Sequence, residues 1–128
     1  MLRALTFVGF GAIGKYCAKL CRAAGMKVVG VSRSGRADPA ADECHKVAAL
    51  HSLLPLADVV VLALPLDAST KHIINALELG LMKKSAFLVN VARGGHINQD
   101  ALVKAAGLGL GLLLVLALER FRRYALLS

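Results

Sequence analysis

The sequence predicts an α/β fold built on a doubly wound parallel sheet, incomplete on its C-terminal side. Short apolar strands alternate with helical segments along most of the 128 residues, which is the pattern of an open parallel sheet. The chain is 57% hydrophobic but has only four Phe, two Tyr and no Trp, so Ala, Val, Leu and Ile must form the core. Such a core suits buried parallel strands covered by Ala-rich helices. A glycine-rich turn also separates the first strand from the first helix.

Hydrophobic periodicity orders the elements along the chain. Strands are predicted at residues 5–10, 27–32, 58–64 and 86–90, and helices at 12–24, 51–57, 69–84 and 98–106. Residues 33–42 are predicted as a loop, and Asn98 as the N-cap of the last helix. The first helix carries apolar residues at helical spacing, namely Ile13, Tyr16, Cys17 and Leu20.

Residues 1–106 are predicted to form one domain, and residues 107–128 a tail of different composition. Its run 107–118 has no charged residue and is too short to span a bilayer unaided, so a buried strand or short helix is expected. The alternatives are exposed apolar surface, or a membrane-surface anchor together with Arg120, Arg122 and Arg123. Because missing strands would leave an open sheet edge, we expect self-association.

Charge and cysteine usage narrow the function classes. The net charge is +8, but the basic residues are scattered and no aromatic residues interleave with them, which disfavours nucleic acid. Three Cys without a C-x-x-C pair, and no readable targeting segment, favour a reducing, cytoplasmic location. Inert packing is predicted for Cys17 and Cys21. The four histidines have no metal-ligand spacing, so no metal is expected and ordinary solvated side chains are predicted for His45, His51, His72 and His96.

Residues 9–14 read Gly-Phe-Gly-Ala-Ile-Gly between a predicted strand and a predicted helix. This is a G-x-G-x-x-G motif of the Rossmann type in its proper βαβ setting. Gly9 allows a tight turn, Gly11 lets the backbone approach a pyrophosphate, and Gly14 lets the helix pack on the sheet. Ala12 and Ile13 lie at the helix N-terminus, whose free N–H groups attract anions. The motif predicts dinucleotide binding; the alternative is a glycine turn without a ligand.

The end of the second strand predicts which dinucleotide is bound. An NAD-specific site usually carries an acid there, which binds the ribose hydroxyls. Here Ser32 stands at that position, followed by Arg33, Ser34 and Arg36. Hydroxyl and guanidinium groups suit a 2′-phosphate. The loop therefore favours NADP(H), with NAD(H) possible; the alternative is a solvated basic turn.

Three further segments carry a family resemblance. Residues 57–66, 70–74 and 89–95, the last reading Val-Asn-Val-Ala-Arg-Gly-Gly, resemble the cofactor domain of the D-isomer-specific 2-hydroxyacid dehydrogenases, which include glyoxylate and hydroxypyruvate reductases. The resemblance covers residues 5 to about 106. It implies that Arg93 is catalytic and binds the substrate carboxylate. It also implies that Leu64 and Pro65 lie beside the cofactor, and Val91 and Ala92 on its nicotinamide side.

The family pairs a downstream His with a Glu, and this sequence offers no match. No His follows His96, and Glu119 lies in the unfamiliar tail. We therefore expect a truncated enzyme of the family, acting on a small 2-keto or 2-hydroxy acid when intact. Whether the present chain is active alone is left open. The alternative is a non-catalytic nucleotide-binding or interaction module.

Overall fold

The computed structural model describes residues 3–64, 67–92, 94–107 and 113–116. Within them lie six strands, which are β1 (Ala4–Val8), β2 (Lys27–Ser32), β3 (Glu43–Lys46), β4 (Val59–Leu62), β5 (Phe87–Asn90) and β6 (Leu113–Leu116). The four α-helices are α1 (Ala12–Ala23), α2 (Leu50–Leu53), α3 (Ala76–Leu81) and α4 (Gln99–Gly107). Short 3-10 turns occupy Val47–Ala49, Leu54–Leu56 and Gly94–His96.

All six strands are parallel and follow the order β3-β2-β1-β4-β5-β6. Strands β2 and β3 are added in turn on one side of β1. The chain then crosses to the other side of β1, where β4, β5 and β6 are added in turn. The order reverses between β1 and β4, so a crevice is expected at their carboxyl ends. The predicted doubly wound α/β fold is confirmed. Tail residues 113–116, in the run for which a buried strand or short helix was expected, form strand β6 beside β5.

Both faces of the sheet are covered by apolar side chains. On one face, Phe7 and Val28 pack with Ala18 of α1. On the other, Val60 and Leu62 pack with Leu79 of α3, among others. Neighbouring residues of a strand point to opposite faces, so the almost wholly apolar β1 and β4 supply both clusters. This arrangement fixes the strand ends from which the candidate site is built.

The structure differs from the prediction at α3 and at β3. The predicted helix over 69–84 is reduced to α3, because residues 67–73 form turns and Ile74 makes a parallel bridge with Ile97. Strand β3 was not predicted at all: its sequence, Glu-Cys-His-Lys, has no apolar run, and it forms through parallel pairing with β2. The predicted N-cap is confirmed, since Asn98 Oδ1 accepts the Ala101 N–H at 3.2 Å.

The histidines are not the uniformly solvated group that was predicted. His96 is fully buried, which corrects the prediction for that residue. His45 lies on β3 and is half-buried, and its Nε2 atom has no hydrogen-bond partner among the described residues. Nε2 of His51 lies 2.6 Å from Oε2 of Glu78. His72 is exposed. The burial of His96 could not be predicted because the sequence around it resembles a loop. In the structure, the parallel bridge between Ile74 and Ile97 holds this segment in the interior.

The last comparison of prediction with structure concerns two cysteines and the outer face of α1. Cys17 and Cys21 are free and pack against the core, as predicted. Burial raises the pKa of the Cys21 thiol, with Cys17 adding to the effect, so this thiol is little ionised at neutral pH. The remaining apolar residues of α1 are about three-fifths exposed: Ile13, Tyr16 and Leu20.

Within the described ranges, no cluster of three or more His, Cys, Asp and Glu side chains could hold a metal ion. Among the helices that the structure describes, none combines the length and apolar character needed to cross a membrane.

Candidate dinucleotide-binding site

The glycine turn lies at the point where the strand order reverses. Gly9 follows β1 with a φ angle of +94°, and its N–H donates to the Val31 carbonyl at 2.8 Å. A Cβ atom added to Gly9 would lie 2.6 Å from Leu64 Cβ and 2.7 Å from Leu64 N. The turn is therefore pressed against the residues that follow β4. Two predicted site residues, Gly9 and Leu64, are brought together at the crevice.

The other glycines of the motif shape the start of α1. Gly11 is the N-cap residue, and no side chain caps the helix. The first turn, which includes Ala12, Ile13 and Gly14, contains no acidic residue. A Cβ atom added to Gly11 would meet no heavy atom of the other described residues within 4 Å, its chain neighbours apart. Uncapped N–H groups and the positive end of the helix dipole thus face open space beside Gly11, which fits a pyrophosphate.

Phe10 holds this turn in place, a role that the sequence analysis missed. Its ring lies over Gly30 of β2, where an added Cβ atom would come within 3.0 Å of the ring. The ring also meets Phe7 edge to face, with 6.1 Å between centroids. Gly30 is therefore needed because a side chain there would displace Phe10. The available signal in the sequence was a glycine inside the Val-rich strand β2.

The loop after β2 is an ordered turn. The N–H of Gly35 donates to Ser32 Oγ at 3.1 Å, and the N–H of Arg36 donates to Ser34 Oγ at 3.2 Å. A Cβ atom added to Gly35 would lie 2.8 Å from Lys46 Cγ. The stem of Lys46 therefore packs along the loop and adds a third basic side chain to it. Sequence reasoning missed Lys46 because it lies on the unpredicted strand β3.

The two arginines of this loop differ in their contacts. Arg33 donates from its guanidinium to Asp67 Oδ2 at 3.1 Å. Within the described part of the chain, no carboxylate lies within ion-pair distance of Arg36. The Ser69 hydroxyl and N–H, with Thr70 and Arg33, hold the pKa of Asp67 below its ordinary value. Asp67 is therefore an anion at neutral pH, and it was not among the predicted site residues.

The loop after β5 borders the same edge of the sheet. The N–H of Val91 donates to the Leu62 carbonyl at 3.0 Å, and that of Ala92 donates to Asn90 Oδ1 at 2.9 Å. Asn90 is buried, so its side chain can fix the path of this loop. Arg93 and Pro65, both predicted as site residues, lie outside the described residues.

The shorter of the two His–Glu contacts in the described part of the chain, His51 with Glu78, does not lie at this edge. His51 belongs to α2, and Glu78 to the first turn of α3, where its Oε1 accepts the Asn75 N–H at 2.9 Å. Both residues belong to crossover helices rather than to the loops that follow β1, β4 and β5. The pair therefore links two helices and does not supply the acid–base pair that the resemblance implies.

The comparison with known families agrees with the strand order and the glycine turn. Residues 2–110 match the NAD binding domain of the D-isomer specific 2-hydroxyacid dehydrogenases. The chain belongs to this family. Its described elements are those of the family's NAD-binding domain, and the resemblance drawn from the sequence is confirmed.

Individual relatives give the same result. The glyoxylate reductase of Thermococcus kodakarensis is 41% identical over 103 residues, which are 80% of this chain and 31% of that enzyme. The chain thus spans about a third of the length of the curated relatives that it matches.

Two solved structures of the family differ in their cofactor. The NAD-complexed D-isomer specific 2-hydroxyacid dehydrogenase of Lactobacillus delbrueckii ssp. bulgaricus is 33% identical, with a TM-score of 0.76, covering 90% of this chain and 35% of that one. The NADPH-dependent glyoxylate/hydroxypyruvate reductase of Sinorhizobium meliloti, in complex with NADP and sulfate, is 27% identical, with a TM-score of 0.77, covering 84% and 35%. Family membership therefore does not decide between the two dinucleotides.

Proposed function

We propose that this domain binds NADP(H) across the carboxyl edge of its sheet, and that the intact protein transfers hydride between this cofactor and a small 2-keto or 2-hydroxy acid. The observation that carries the proposal is the meeting of the glycine turn with Leu64 where the strand order reverses, since open α/β sheets bind ligands at that point. Family membership supports the reaction class.

The roles of the residues follow from their places along this edge. The N–H groups at the start of α1 hold the pyrophosphate, and Gly11 leaves room for it. By resemblance to the family, Leu64 and Pro65 border the cofactor, and Val91 and Ala92 border its nicotinamide end. The nicotinamide supplies or accepts the hydride when it is bound. By resemblance, Arg93 holds the substrate carboxylate by two hydrogen bonds and so orients the keto carbon.

The preference for NADP(H) rests on the loop after β2. Ser32 replaces the acid that would repel a 2′-phosphate, and Arg33, Ser34 and Arg36 follow it. Lys46 adds positive charge from β3. A 2′-phosphate carries about −1.5 to −2 charges near neutral pH, so it gains from several basic groups that the ribose hydroxyls of NAD(H) cannot use.

We expect Arg33→Ala to lower NADPH affinity by about tenfold and to leave NADH affinity nearly unchanged. One charge-assisted hydrogen bond accounts for a change of that size after its desolvation cost is subtracted. The preference of the unmutated chain for NADPH should also weaken with added salt, because an exposed phosphate–arginine contact is screened. Calorimetric titration with both cofactors measures these effects.

Lys83→Ala is the matched control for this substitution. Lys83 lies before β5, and its Nζ atom pairs with Oδ1 of Asp58, before β4, at 2.9 Å. Both residues thus lie at the amino ends of the strands, opposite the carboxyl edge. The control removes the same charge without touching the loop after β2, so it should leave the NADPH preference in place. Equal affinity of the unmutated chain for NADH and NADPH would contradict the proposed cofactor preference and leave the dinucleotide site itself standing.

A non-catalytic nucleotide-binding module is the second candidate, because the His51–Glu78 pair of the described residues lies on crossover helices and not beside the proposed cofactor site. Both candidates predict cofactor binding, so turnover separates them. The purified chain is assayed for NADPH oxidation with glyoxylate and with hydroxypyruvate. A rate above that of a heat-killed control would exclude the non-catalytic module.

We also propose a cytoplasmic location and self-association. Ile13, Tyr16 and Leu20 leave an apolar stripe on the outer face of α1, and contiguous exposed apolar surface promotes association. Light scattering should therefore report an average mass above 13.4 kDa that rises with concentration. A monodisperse monomer at high concentration would contradict this expectation.

A further inference from the structure

An ion pair joins two loops on opposite sides of the glycine turn. Arg33 follows β2, and Asp67 lies in the loop after β4. Strands β2 and β4 flank β1 in the sheet. The contact between Arg33 and Asp67 therefore passes across the carboxyl end of β1, where the dinucleotide is proposed to bind.

Asp67 is held firmly in its own loop. Its Oδ1 atom accepts the N–H of Ser69 at 2.8 Å and that of Thr70 at 3.1 Å. Its own N–H donates to Thr70 Oγ1 at 2.9 Å. One carboxylate oxygen thus organises the turn, which leaves Oδ2 to meet Arg33. Since the Arg33 side chain is 82% exposed, the arginine is the more mobile partner.

We infer that Asp67 is a specificity-determining residue, whose carboxylate competes with the 2′-phosphate of NADP(H) for the guanidinium of Arg33. The inference rests on the proposed cofactor preference. An arginine already paired with a carboxylate must exchange one anion for another before it can bind a phosphate. NADH has no 2′-phosphate, so its binding requires no such exchange. Asp67 therefore reduces the preference for NADP(H) below what the basic loop alone would give.

Asp67→Asn tests this competition with little disturbance of the turn. The amide oxygen can keep accepting the N–H groups of Ser69 and Thr70, and the uncharged amide nitrogen then faces Arg33. We expect NADPH affinity to rise about two- to fivefold, the range typical of losing one exposed ion pair. The fold-change in NADH affinity should be less than about half of the fold-change in NADPH affinity. Calorimetric titration of the full chain with each cofactor gives both values.

A double-mutant cycle with Arg33→Ala shows whether the effect passes through Arg33. If Asp67 acts by occupying Arg33, Asp67→Asn should have no effect once Arg33 is absent. Glu43→Gln is the matched control, because it removes the same charge at the start of β3, where Glu43 pairs with Lys27. It should leave the ratio of NADPH to NADH affinity unchanged.

The outcomes separate this inference from the proposal on which it rests. If Arg33→Ala leaves NADPH affinity unchanged, the proposed role of the loop fails, and the inference fails with it. If Arg33→Ala weakens NADPH binding but Asp67→Asn has no effect, the inference alone is overturned. It is also overturned if Asp67→Asn strengthens NADH and NADPH binding equally, or if its effect persists without Arg33, since Asp67 would then act only as a general negative charge.

Discussion

Substitution of Gly11 by Val is expected to lower dinucleotide affinity by at least about a hundredfold while the domain stays folded. Apart from its chain neighbours, no described residue has an atom within 4 Å of a Cβ atom added to Gly11, so a larger side chain is expected to meet the ligand. Its φ and ψ angles, −87° and −162°, are open to any residue. The Val side chain would occupy the place of the pyrophosphate and keep it from the N–H groups of α1.

Calorimetry with NADPH and NADH measures the loss, and thermal unfolding with circular dichroism shows that the fold persists. A cost of about 1 kcal/mol to stability is expected, because Val is a poorer N-cap residue than Gly. Gly80→Val is the matched control: Gly80 also has no neighbour within 4 Å of an added Cβ atom, but it lies on α3. Unchanged cofactor affinity in Gly11→Val would contradict the assignment of the glycine turn to the pyrophosphate.

The first βαβ unit could be predicted from the sequence because its signals are local. Strand β2 was predicted with its observed bounds, and α1 to within one residue at its C-terminal end. Buried strands with Val-rich sequences and a glycine at each end of the helix are sufficient for this. The same locality explains why Asn98 could be recognised as a helix N-cap.

Elements that depend on distant partners could not be predicted in the same way. Strand β3 has a polar sequence and forms only because β2 offers it a parallel edge. Helix α3 begins later than predicted, since the Asp67 turn and the Ile74–Ile97 bridge use the preceding residues. The sequence around each of these elements gives no sign of its partner, because the partner lies on another strand or loop.

The residues of the candidate site also divide into those that local sequence could predict and those that depend on distant partners. The predicted residues of the glycine turn, the loop after β2, Leu64 and the loop after β5 lie at the carboxyl ends of their strands. Their roles toward a cofactor stay predictions. Asp67 could not be found from the sequence, because its contact with Arg33 spans 34 positions. Lys46 was missed because β3 was missed.

The second large effect concerns Gly9 and stability rather than binding. Gly9→Ala is expected to reduce the free energy of unfolding by about 2–5 kcal/mol. Its φ angle of +94° is one that residues with a Cβ atom rarely adopt, and the new Cβ atom would lie 2.6 Å from Leu64 Cβ and 2.8 Å from the Ala63 carbonyl carbon. Backbone atoms cannot move aside as a flexible side chain can, so β1 and β4 would have to separate locally.

Gly25→Ala separates the two causes of this loss. Gly25 has a similar φ angle of +86°, but an added Cβ atom there meets nothing within 4 Å. The loss of unfolding free energy in Gly25→Ala should therefore come from backbone strain alone and amount to about 1–2 kcal/mol. The further loss in Gly9→Ala then measures the clash with the residues that follow β4. Urea unfolding measures both free energies, provided that the two variants have the same dependence of the unfolding free energy on urea concentration. If Gly9→Ala is no less stable than Gly25→Ala, the glycine turn is not pressed against Leu64 as the structure has it.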